Sequence, residues 1–268
     1  MQVTSSRPFA PLAVPSRHPL NYNVATYVVT NLSLDFGMFG SSDTIKWIEN
    51  RLLLFKQYTL PSVQNQIQHP FRWYLYACSK HKELILDLLG KLPPWCEITF
   101  ITQLTTNRVD LTTICIPALT RRQICKNNHS NQPVIVARLD SDDMISFDYI
   151  KVLGNIASYF LEVRFNQSVV VAFSYGLQYD VEGRAFNILN WPEPAFAASV
   201  IPRFGTSTPL ITEFAHDSIP ISIPLTHIAT TQPMWVQLIT PTNISNRSTG
   251  FRVNEPDPTF LSNNFAFS

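Results

Sequence analysis

One short stretch of the chain places three carboxylates directly after a strand. Residues 134–139 (VIVARL) are apolar apart from Arg138, and Asp140, Asp142 and Asp143 follow within four positions. Like charges held that close raise one another's pKa and oppose folding unless a cation or a hydrogen-bond donor neutralises them. Divalent cations such as Mg²⁺ and Mn²⁺ prefer carboxylate oxygens, and Mg²⁺ commonly keeps phosphate oxygens as its other ligands. The spacing therefore predicts a metal–diphosphate site at the carboxyl end of a central strand, where open α/β sheets bind their ligands.

The composition fits a well-packed domain and argues against several kinds of partner. The 268 residues are 45% hydrophobic, and the formal net charge of +1 gives no reason to expect nucleic acid. No apolar run is long enough to predict a transmembrane segment. Only 8 Gly stand against 20 Pro, which disfavours a Gly-rich phosphate loop. The four Cys contain no Cys-x-x-Cys pair and are typical of free thiols in a reducing compartment, so we expect a cytoplasmic protein.

Strand and helix patterns alternate through the first 163 residues. Strands are predicted at 26–34, 71–78, 96–101 and 134–139, and helices at 42–58, 83–92 and 147–160, with a short helix near 120–126. Pro61 and Pro70 are predicted to bracket a short connection. This order predicts an α/β fold with a parallel, doubly wound sheet and right-handed crossovers.

The second half of the chain has a different texture. A strand is predicted at 169–175, followed by a hairpin over 177–189 that turns at Glu182-Gly183. No linker or internal repeat indicates a separate domain. We therefore expect this half to extend the same sheet and to build the other wall of a cleft.

Three groups of residues, in this order along the chain, resemble one family of sugar-transferring enzymes. The first group runs from Trp47 and Arg51-Leu-Leu-Leu-Phe55 through Thr59-Leu-Pro61-Ser62-Val-Gln64 and Gln66 to Phe71-Arg-Trp73. The second is Arg138-Leu-Asp140-Ser-Asp142-Asp143, and the third is Pro233-Met-Trp235-Val-Gln237 followed by Asn243-Ile-Ser245. Together they are similar to the rhamnosyltransferase family, which is related to glycosyltransferase family two, within the GT-A-fold glycosyltransferases.

The resemblance implies both a fold and a reaction. The fold is a GT-A-type, Rossmann-like mixed and mainly parallel sheet flanked by helices, in a single domain. The reaction is metal-dependent transfer of a sugar, with rhamnose suggested by the family name, from a UDP-, dTDP- or GDP-sugar to an acceptor hydroxyl with inversion. The implied acceptor is a glycan or a lipid-linked glycan, through which any association with a membrane would arise.

The resemblance also implies a division of the chain. Residues 1–22 form an N-terminal arm, 23–163 a nucleotide-binding half, 164–247 an acceptor half and 248–268 a C-terminal tail. The two halves together, 23–247, make up the glycosyltransferase domain. The tail is expected to dock either on the body of the protein or on a neighbouring subunit.

The metal and donor contacts follow from the same resemblance. Asp142 is expected to ligate Mn²⁺ or Mg²⁺, and Asp140 to contact the ribose or a metal-bound water. Asp143 is either a supporting carboxylate near the metal or an acid at the start of the next helix, where it would interact favourably with the helix dipole. His216 is a further candidate metal ligand, with a plain surface or core histidine as its alternative.

Four other residues are candidates for donor binding. Thr30 and Asn31, at the end of the first strand, are expected near the nucleotide base. Arg51 either reaches a phosphate or is a solvated helix charge. Arg138 is expected to pair with Asp140 or with phosphate through its planar fork of donors.

An inverting transfer also needs a general base beside the acceptor hydroxyl. Asp217 is the preferred candidate because it follows His216 in the late segment, and Glu213 and Glu193 are alternatives. Each of the three acids has the plain alternative of a solvated surface carboxylate. Among the tryptophans, Trp73 is expected to be structural, whereas Trp191 and Trp235 are candidates for stacking on a sugar.

Rival interpretations of the acidic motif are weaker. An EF-hand loop would need Gly at position 145 and Glu at position 151, where this chain has Ile145 and Lys151. A haloacid-dehalogenase-type phosphatase would carry its acids after the first strand, and a nucleotidyltransferase would need a Gly-rich loop near the N-terminus.

The remaining alternative is a glycan- or nucleotide-binding protein that kept the fold and lost turnover. It rests on two departures from the family pattern, which are Asn31 in place of an Arg and the absence of a His in 239–241.

Overall fold

The computed structural model describes residues 24–34, 41–102, 115–127, 132–163, 167–190, 196–204, 209–214, 223–241, 251–253 and 258–265. Within these ranges the helices are α1 (Ser41–Leu54), α2 (Leu60–Gln64), α3 (Lys82–Leu89), α4 (Ile116–Asn127), α5 (Tyr149–Glu162) and α6 (Pro258–Phe265). A π-helical turn (Phe55–Thr59) joins α1 to α2, and 3₁₀ turns lie at Ser79–His81 and Ile211–Glu213. The strands are β1 (Ala25–Ser33), β2 (Arg72–Cys78), β3 (Cys96–Ile101), β4 (Val134–Arg138), β5 (Met144–Ile145), β6 (Val169–Phe173), β7 (Tyr175–Asp180), β8 (Ala185–Asn190), β9 (Ala197–Ile201), β10 (Leu225–Ile228), β11 (Trp235–Ile239) and β12 (Phe251–Val253).

The larger of the two sheets has the strand order β10-β6-β9-β4-β1-β2-β3. Strands β4, β1, β2 and β3 run parallel, β9 is antiparallel to both β4 and β6, and β10 is parallel to β6. This confirms the predicted mixed, mainly parallel α/β sheet flanked by helices. The described helices that follow β1, β2 and β3 lie in the connections between these four strands, as parallel neighbours require.

Helices cover both faces of this sheet, so its central strands are apolar on both sides. On one face, Ile48 of α1, Ile85 of α3 and Leu153 of α5 belong to the same buried cluster as Val28 and Leu75. On the other face, a second cluster joins the apolar side chains of α4 to tyrosines of β1 and β2; its members include Ile116, Ile124, Tyr27, Tyr74 and Tyr76. The two clusters fix the parallel half of the sheet and hence the positions of its carboxyl ends.

A second sheet has the order β12-β8-β7-β11-β5. The predicted hairpin is its centre, because β7 and β8 pair antiparallel around a turn in which Asp180 Oδ1 accepts the N–H groups of Glu182 and Gly183. Short β5 pairs antiparallel with β11, so the chain leaves β4 in the first sheet and enters the second sheet after only five residues. The acidic loop Asp140–Asp143 therefore lies at the junction of the two sheets.

The expectation that the second half extends one sheet is correct only in part. Strands β6, β9 and β10 do extend the first sheet, whereas β7, β8 and β11 belong to the second. The predicted strand 169–175 is interrupted at Ser174, which separates β6 from β7. Residue patterns identify extended segments, but they do not show with which edge a segment will pair.

Three predicted helix limits also change. The helix predicted over 42–58 is α-helical only to Leu54. Pro61 does not bracket a connection as predicted. It lies in the first turn of α2, where its missing N–H costs little stability. The helix predicted to reach Leu92 ends at Leu89 because Gly90 adopts a positive φ of 66°. Residues 144–145 form β5, so the helix predicted from 147 begins at Tyr149.

The structure also bears on the predictions for the cysteines, the two chain termini and a transmembrane segment. All four cysteines are free, as predicted. Residues 258–265 of the predicted tail pack on the body through Leu261 and Phe265, and Asn264 accepts the N–H of Phe147 through its carbonyl at 2.9 Å. Residues 1–22 lie outside the described part of the chain. None of the described helices combines the length and the hydropathy needed to cross a bilayer.

Two polar side chains of the first family-like motif fix the segment that follows the acidic loop. Ser62 Oγ accepts the N–H of Ile145 at 3.4 Å. Gln66, which is only 4% exposed, donates from Nε2 to the carbonyls of Ser62 and Ser146 at 2.9 and 2.6 Å. Its Oε1 accepts the N–H of Ile150, one of the otherwise unpaired amides in the first turn of α5, at 3.0 Å. The motif therefore ties α2 to both β5 and α5.

Replacing Gln66 with Leu should remove these bonds while keeping the volume similar. Because the Ile150 amide and the Ser146 carbonyl would remain buried without partners, we expect the free energy of unfolding to fall by about 2–4 kcal/mol. Gln64→Leu, an exposed change at the end of the same helix, should change it by less than about 0.5 kcal/mol. Urea unfolding of both variants measures the difference, and equal midpoints for Gln66→Leu and wild type would contradict this role.

Candidate functional site at the junction of the two sheets

The site is built on the carboxyl ends of β1 and β4. The two strands are parallel neighbours, their register ends at Val29 opposite Arg138, and Leu139 donates its N–H to the Val29 carbonyl at 3.0 Å. Asn31 and Asp140 each lie two residues further along, so they emerge at the same edge of the sheet. The structure thus brings together three candidates that are far apart in sequence: Asn31, Arg138 and Asp140.

The carboxylates of the loop are largely removed from solvent. Asp142 and Asp143 are each 2% exposed, whereas Asp140 is only partly buried. Burial raises the pKa of Asp142, and Arg51 opposes that rise. Burial together with the charges of Asp142 and Asp140 raises the pKa of Asp143 well above its usual range. The loop therefore gains stability from any positive charge placed beside it.

Arg51 supplies one such charge from α1. Its Nη1 forms an ion pair with Asp142 Oδ2, and the guanidinium carbon lies 5.6 Å from the centre of the Trp47 ring. The Arg51 side chain is 19% exposed and that of Asp142 only 3%. The alternative of a solvated helix charge is therefore wrong for Arg51, while its contact with phosphate stays a prediction.

Asp143 holds the loop to the second sheet. Its Oδ1 accepts the N–H of Leu238, on β11, at 3.0 Å. Helix α5 begins only at Tyr149, with Asp148 in the N-cap position, so Asp143 is not the acid at the start of that helix. Of the two predicted roles, a supporting carboxylate beside the metal is the one that agrees with this geometry, and metal contact itself stays a prediction.

Arg138 is a second cation at the same edge. Its Nη1 donates to the carbonyl of Phe214 at 2.7 Å. Burial lowers its pKa, and the nearby charge of Asp140 opposes that shift. The hydroxyl of Tyr149 has a pKa raised mainly by burial, which the same guanidinium counteracts. Arg138 thus contacts the end of the 3₁₀ turn and lies near the charge of Asp140, and its pairing with Asp140 or with phosphate stays a prediction.

The two candidates on β1 differ in what they contact. Thr30 is fully buried, and its Oγ1 accepts the indole N–H of Trp73 at 3.0 Å, which confirms Trp73 as structural and gives Thr30 a packing role. Donor binding by Thr30 stays a prediction without support from this contact. Asn31 is partly exposed, and its buried Oδ1 has no hydrogen-bond partner among the residues that the structure describes. Asn31 is therefore the better placed of the two for a ligand.

Of the predicted bases, only Glu213 lies within the described residues. Glu213 forms an ion pair with Arg121 of α4, and its Oε1 accepts the N–H of Leu210 at 2.9 Å, so it stabilises the 3₁₀ turn. Its role as a base stays a prediction. The other predicted groups of the acceptor side lie outside the described residues: Glu193, His216, Asp217 and Trp191.

Trp235 is a core residue and not a sugar platform. It is 1% exposed, stacks on Phe196 with 4.4 Å between ring centres, and donates its indole N–H to the Phe173 carbonyl at 2.9 Å. A Cβ at Gly176 would lie 2.1 Å from the indole, so only glycine fits there. The stacking prediction for Trp235 is therefore wrong. The prediction rested on the position of Trp235 beside a loop in the sequence. That position did not indicate that β6 and β7 would enclose the indole ring.

Sequence reasoning missed a row of buried amides beside Asp143. Gln178 of β7 lies in register between Asn187 of β8 and Gln237 of β11, and it donates from Nε2 to Gln237 Oε1 at 2.7 Å. The three side chains are 1%, 7% and 5% exposed, respectively. The alternation of polar and apolar residues in the hairpin was the signal that could have identified them. They hold β11, and thus the Leu238 amide, in place.

Within the described ranges, no group of three or more His, Cys, Asp or Glu side chains is arranged to hold a metal ion. Any further protein ligand besides the loop would have to come from elsewhere in the chain, such as the segment containing His216. Water and phosphate oxygens are the other usual ligands of Mg²⁺.

A model of the family described as "Putative rhamnosyl transferase" matches residues 44–252, a range that includes Arg51 and the acidic loop. The chain belongs to this family. Membership confirms the resemblance seen in the three motifs and supports glycosyl transfer as the general activity. No curated protein matches the sequence.

Solved structures resemble this family member only distantly. TarS of S. aureus is 14% identical with a TM-score of 0.37, over 81% of this chain and 37% of that one. HddC of Yersinia pseudotuberculosis is 14% identical with a TM-score of 0.33, over 80% and 93% of the two chains. A 4-diphosphocytidyl-2C-methyl-D-erythritol synthase of Anaerococcus prevotii is 12% identical with a TM-score of 0.32, over 67% and 71%. At these TM-scores the likeness establishes neither a shared activity nor a shared ligand.

The burial of Asp143 predicts a pH-dependent gain from removing its charge. Asp143→Asn keeps an oxygen that can accept the Leu238 N–H, so in metal-free protein at pH 7 it should raise the free energy of unfolding by roughly 0.5–2 kcal/mol, as is common for changes that relieve a functional site. Because the folded pKa is raised, the folded state binds more protons than the unfolded state above the ordinary value of 3.8, and wild-type stability falls as the pH rises through that window. The difference should therefore vanish below pH 3.8.

Urea unfolding in EDTA across this pH range measures the effect. A wild type more stable than Asp143→Asn at pH 7 would contradict the interpretation of Asp143 as a buried, uncompensated charge.

Proposed function

We propose that the protein is a metal-dependent, inverting glycosyltransferase that moves a sugar, rhamnose in keeping with the family description, from a nucleotide diphosphate to an acceptor hydroxyl. One observation carries the proposal beyond family membership. The loop Asp140–Asp143 is buried at the carboxyl ends of β1 and β4, and burial raises the pKa of two of its three carboxyls. Such a loop is costly to fold, and a bound cation would relieve that cost.

The donor set of the loop suits a hard divalent cation. Asp140 and Asp142 offer carboxylate oxygens, which Mg²⁺ and Mn²⁺ prefer, and the pairing of Asp142 with Arg51 shows that this carboxylate accepts a cationic partner. Asp143 would support the loop through Leu238, and His216 is the candidate for a further ligand. A divalent cation held here would supply Lewis-acid stabilisation of the negative charge that develops on the departing diphosphate.

The residues around the loop have distinct tasks in this proposal. Arg138 and Arg51 provide planar guanidinium groups that can hold phosphate oxygens through paired hydrogen bonds. Asn31 presents its amide oxygen to the nucleotide base, and Asp140 accepts a hydrogen bond from the ribose. The proposed acceptor is a glycan or a lipid-linked glycan.

Metal-dependent donor binding should depend on Asp142. In a thermal-shift screen of UDP, dTDP and GDP with and without Mn²⁺, we expect one nucleotide to raise the Tm only when the metal is present. Asp142→Asn should abolish that shift and lower kcat/KM for the matching nucleotide sugar by about 100-fold or more, the size usual for losing an electrostatic group at the reacting centre. Asp87→Asn, an exposed change on α3, should leave both unchanged.

Two outcomes of that screen would redirect the proposal. Nucleotide binding without metal dependence would exclude the loop as the cation site. Binding without turnover on a broad panel of acceptors would favour a glycan- or nucleotide-binding protein that kept the fold and lost catalysis.

The general base is proposed to be Asp217. Its carboxylate would take the proton of the acceptor hydroxyl as that oxygen attacks the anomeric carbon, and the diphosphate would leave from the opposite face. Asp217→Asn should therefore lower kcat by about 100- to 10,000-fold with little change in KM for the donor. NMR of the product tests inversion directly, and retention of the donor's anomeric configuration would exclude this mechanism.

A further inference from the structure

The ion pair between Arg51 and Asp142 joins two parts of the chain that are distant in sequence. Arg51 lies near the end of α1, and Asp142 lies in the loop between β4 and β5. The pair is largely shielded from water, since the Asp142 side chain is 3% exposed and the Arg51 side chain 19%. An uncompensated carboxylate in such a position is strongly unfavourable. Arg51 therefore acts as the resident counter-charge of Asp142.

A divalent cation held by Asp142 would compete with Arg51 for the same carboxylate. A guanidinium and a metal ion about 4 Å apart would repel each other by several times the thermal energy in a partly buried site. The Arg51 side chain can leave Asp142 by rotating about its several single bonds. Its guanidinium already lies beside Trp47, one helical turn earlier on α1, and can keep that contact. Its donor fork matches a phosphate as well as it matches a carboxylate.

We infer that Arg51 exchanges partners during donor binding: it pairs with Asp142 in the metal-free protein and turns to the diphosphate when a cation takes its place. The inference rests on the proposed function and adds a consequence to it. The metal alone must displace Arg51, whereas the diphosphate gives the displaced guanidinium a new anionic partner. Metal and nucleotide therefore bind cooperatively, and Arg51 carries part of their coupling.

Arg51→Met separates the two effects. Without the competing guanidinium, Mn²⁺ alone should bind to this variant about five- to tenfold more tightly than to wild type. In wild type, UDP or the nucleotide selected in the screen above should tighten Mn²⁺ binding by a certain factor. In Arg51→Met that factor should be about five- to tenfold smaller. Arg51→Lys keeps a point charge but loses the fork, so its Mn²⁺ affinity should stay near that of wild type while the coupling still falls. Arg122→Met, an exposed change on α4, is the matched control.

Mn²⁺ binding followed by electron paramagnetic resonance, with and without the nucleotide, supplies both quantities without any assay of turnover. If Asp142→Asn binds Mn²⁺ as wild type does, the metal site of the proposed function fails. If wild type binds through Asp142 but Arg51→Met binds no more tightly, only the exchange fails.

A measurement on wild type covers the case in which Arg51→Met does not fold. The Nε–Hε NMR signal of Arg51 is assigned by its loss in Arg51→Lys. Its chemical shift in the protein with Mg²⁺ and nucleotide should differ from that in the metal-free protein. It should also differ from the chemical shift in the protein with Mg²⁺ alone. An Arg51 signal unmoved by saturating Mg²⁺ and nucleotide would overturn the exchange.

Discussion

Two carboxylates buried beside each other, where the chain passes from the first sheet to the second, are the constraint on which the rest of the site depends. Asp142 and Asp143 are neutralised or held from different directions, by the guanidinium of Arg51 on α1 and by the amide of Leu238 on β11. The first contact requires α1 to be in place, and the second requires β11 of the second sheet. The folding of the domain therefore places the acids, and their burial raises the pKa of both carboxyls.

The residues that surround this junction act mainly by holding it. Gln66 and Ser62 tie α2 to the segment after the acids, and the amides of Gln178 and Gln237 hold β11 against β7. The ring of Trp235 packs directly against Gly176, where any side chain would clash with it. Several side chains of the family-like motifs thus support the acidic loop. Such supporting contacts determine how accurately a few reactive groups are positioned.

Much of this could be predicted from local sequence. The apolar strand 134–138 followed by clustered acids predicted β4 and the position of the acids at its carboxyl end, because strand pattern and charge spacing are properties of neighbouring residues. The alternation of strands and helices predicted the parallel half of the sheet, and the hairpin turn was predicted from Glu182-Gly183. The order of three short motifs was sufficient to identify the family.

The sequence by itself determined strands β1–β4, the hairpin of β7 and β8, and the place where carboxylates crowd, since those features depend on period and on adjacent charge. Only the tertiary structure decided that β7, β8 and β11 form a second sheet, that Thr30 accepts a bond from Trp73, and that Arg51 faces Asp142 and not solvent. Each of these is a contact between residues at least 43 positions apart or a choice between sheet edges. No local pattern encodes such a choice, because it depends on how complete layers pack around one core.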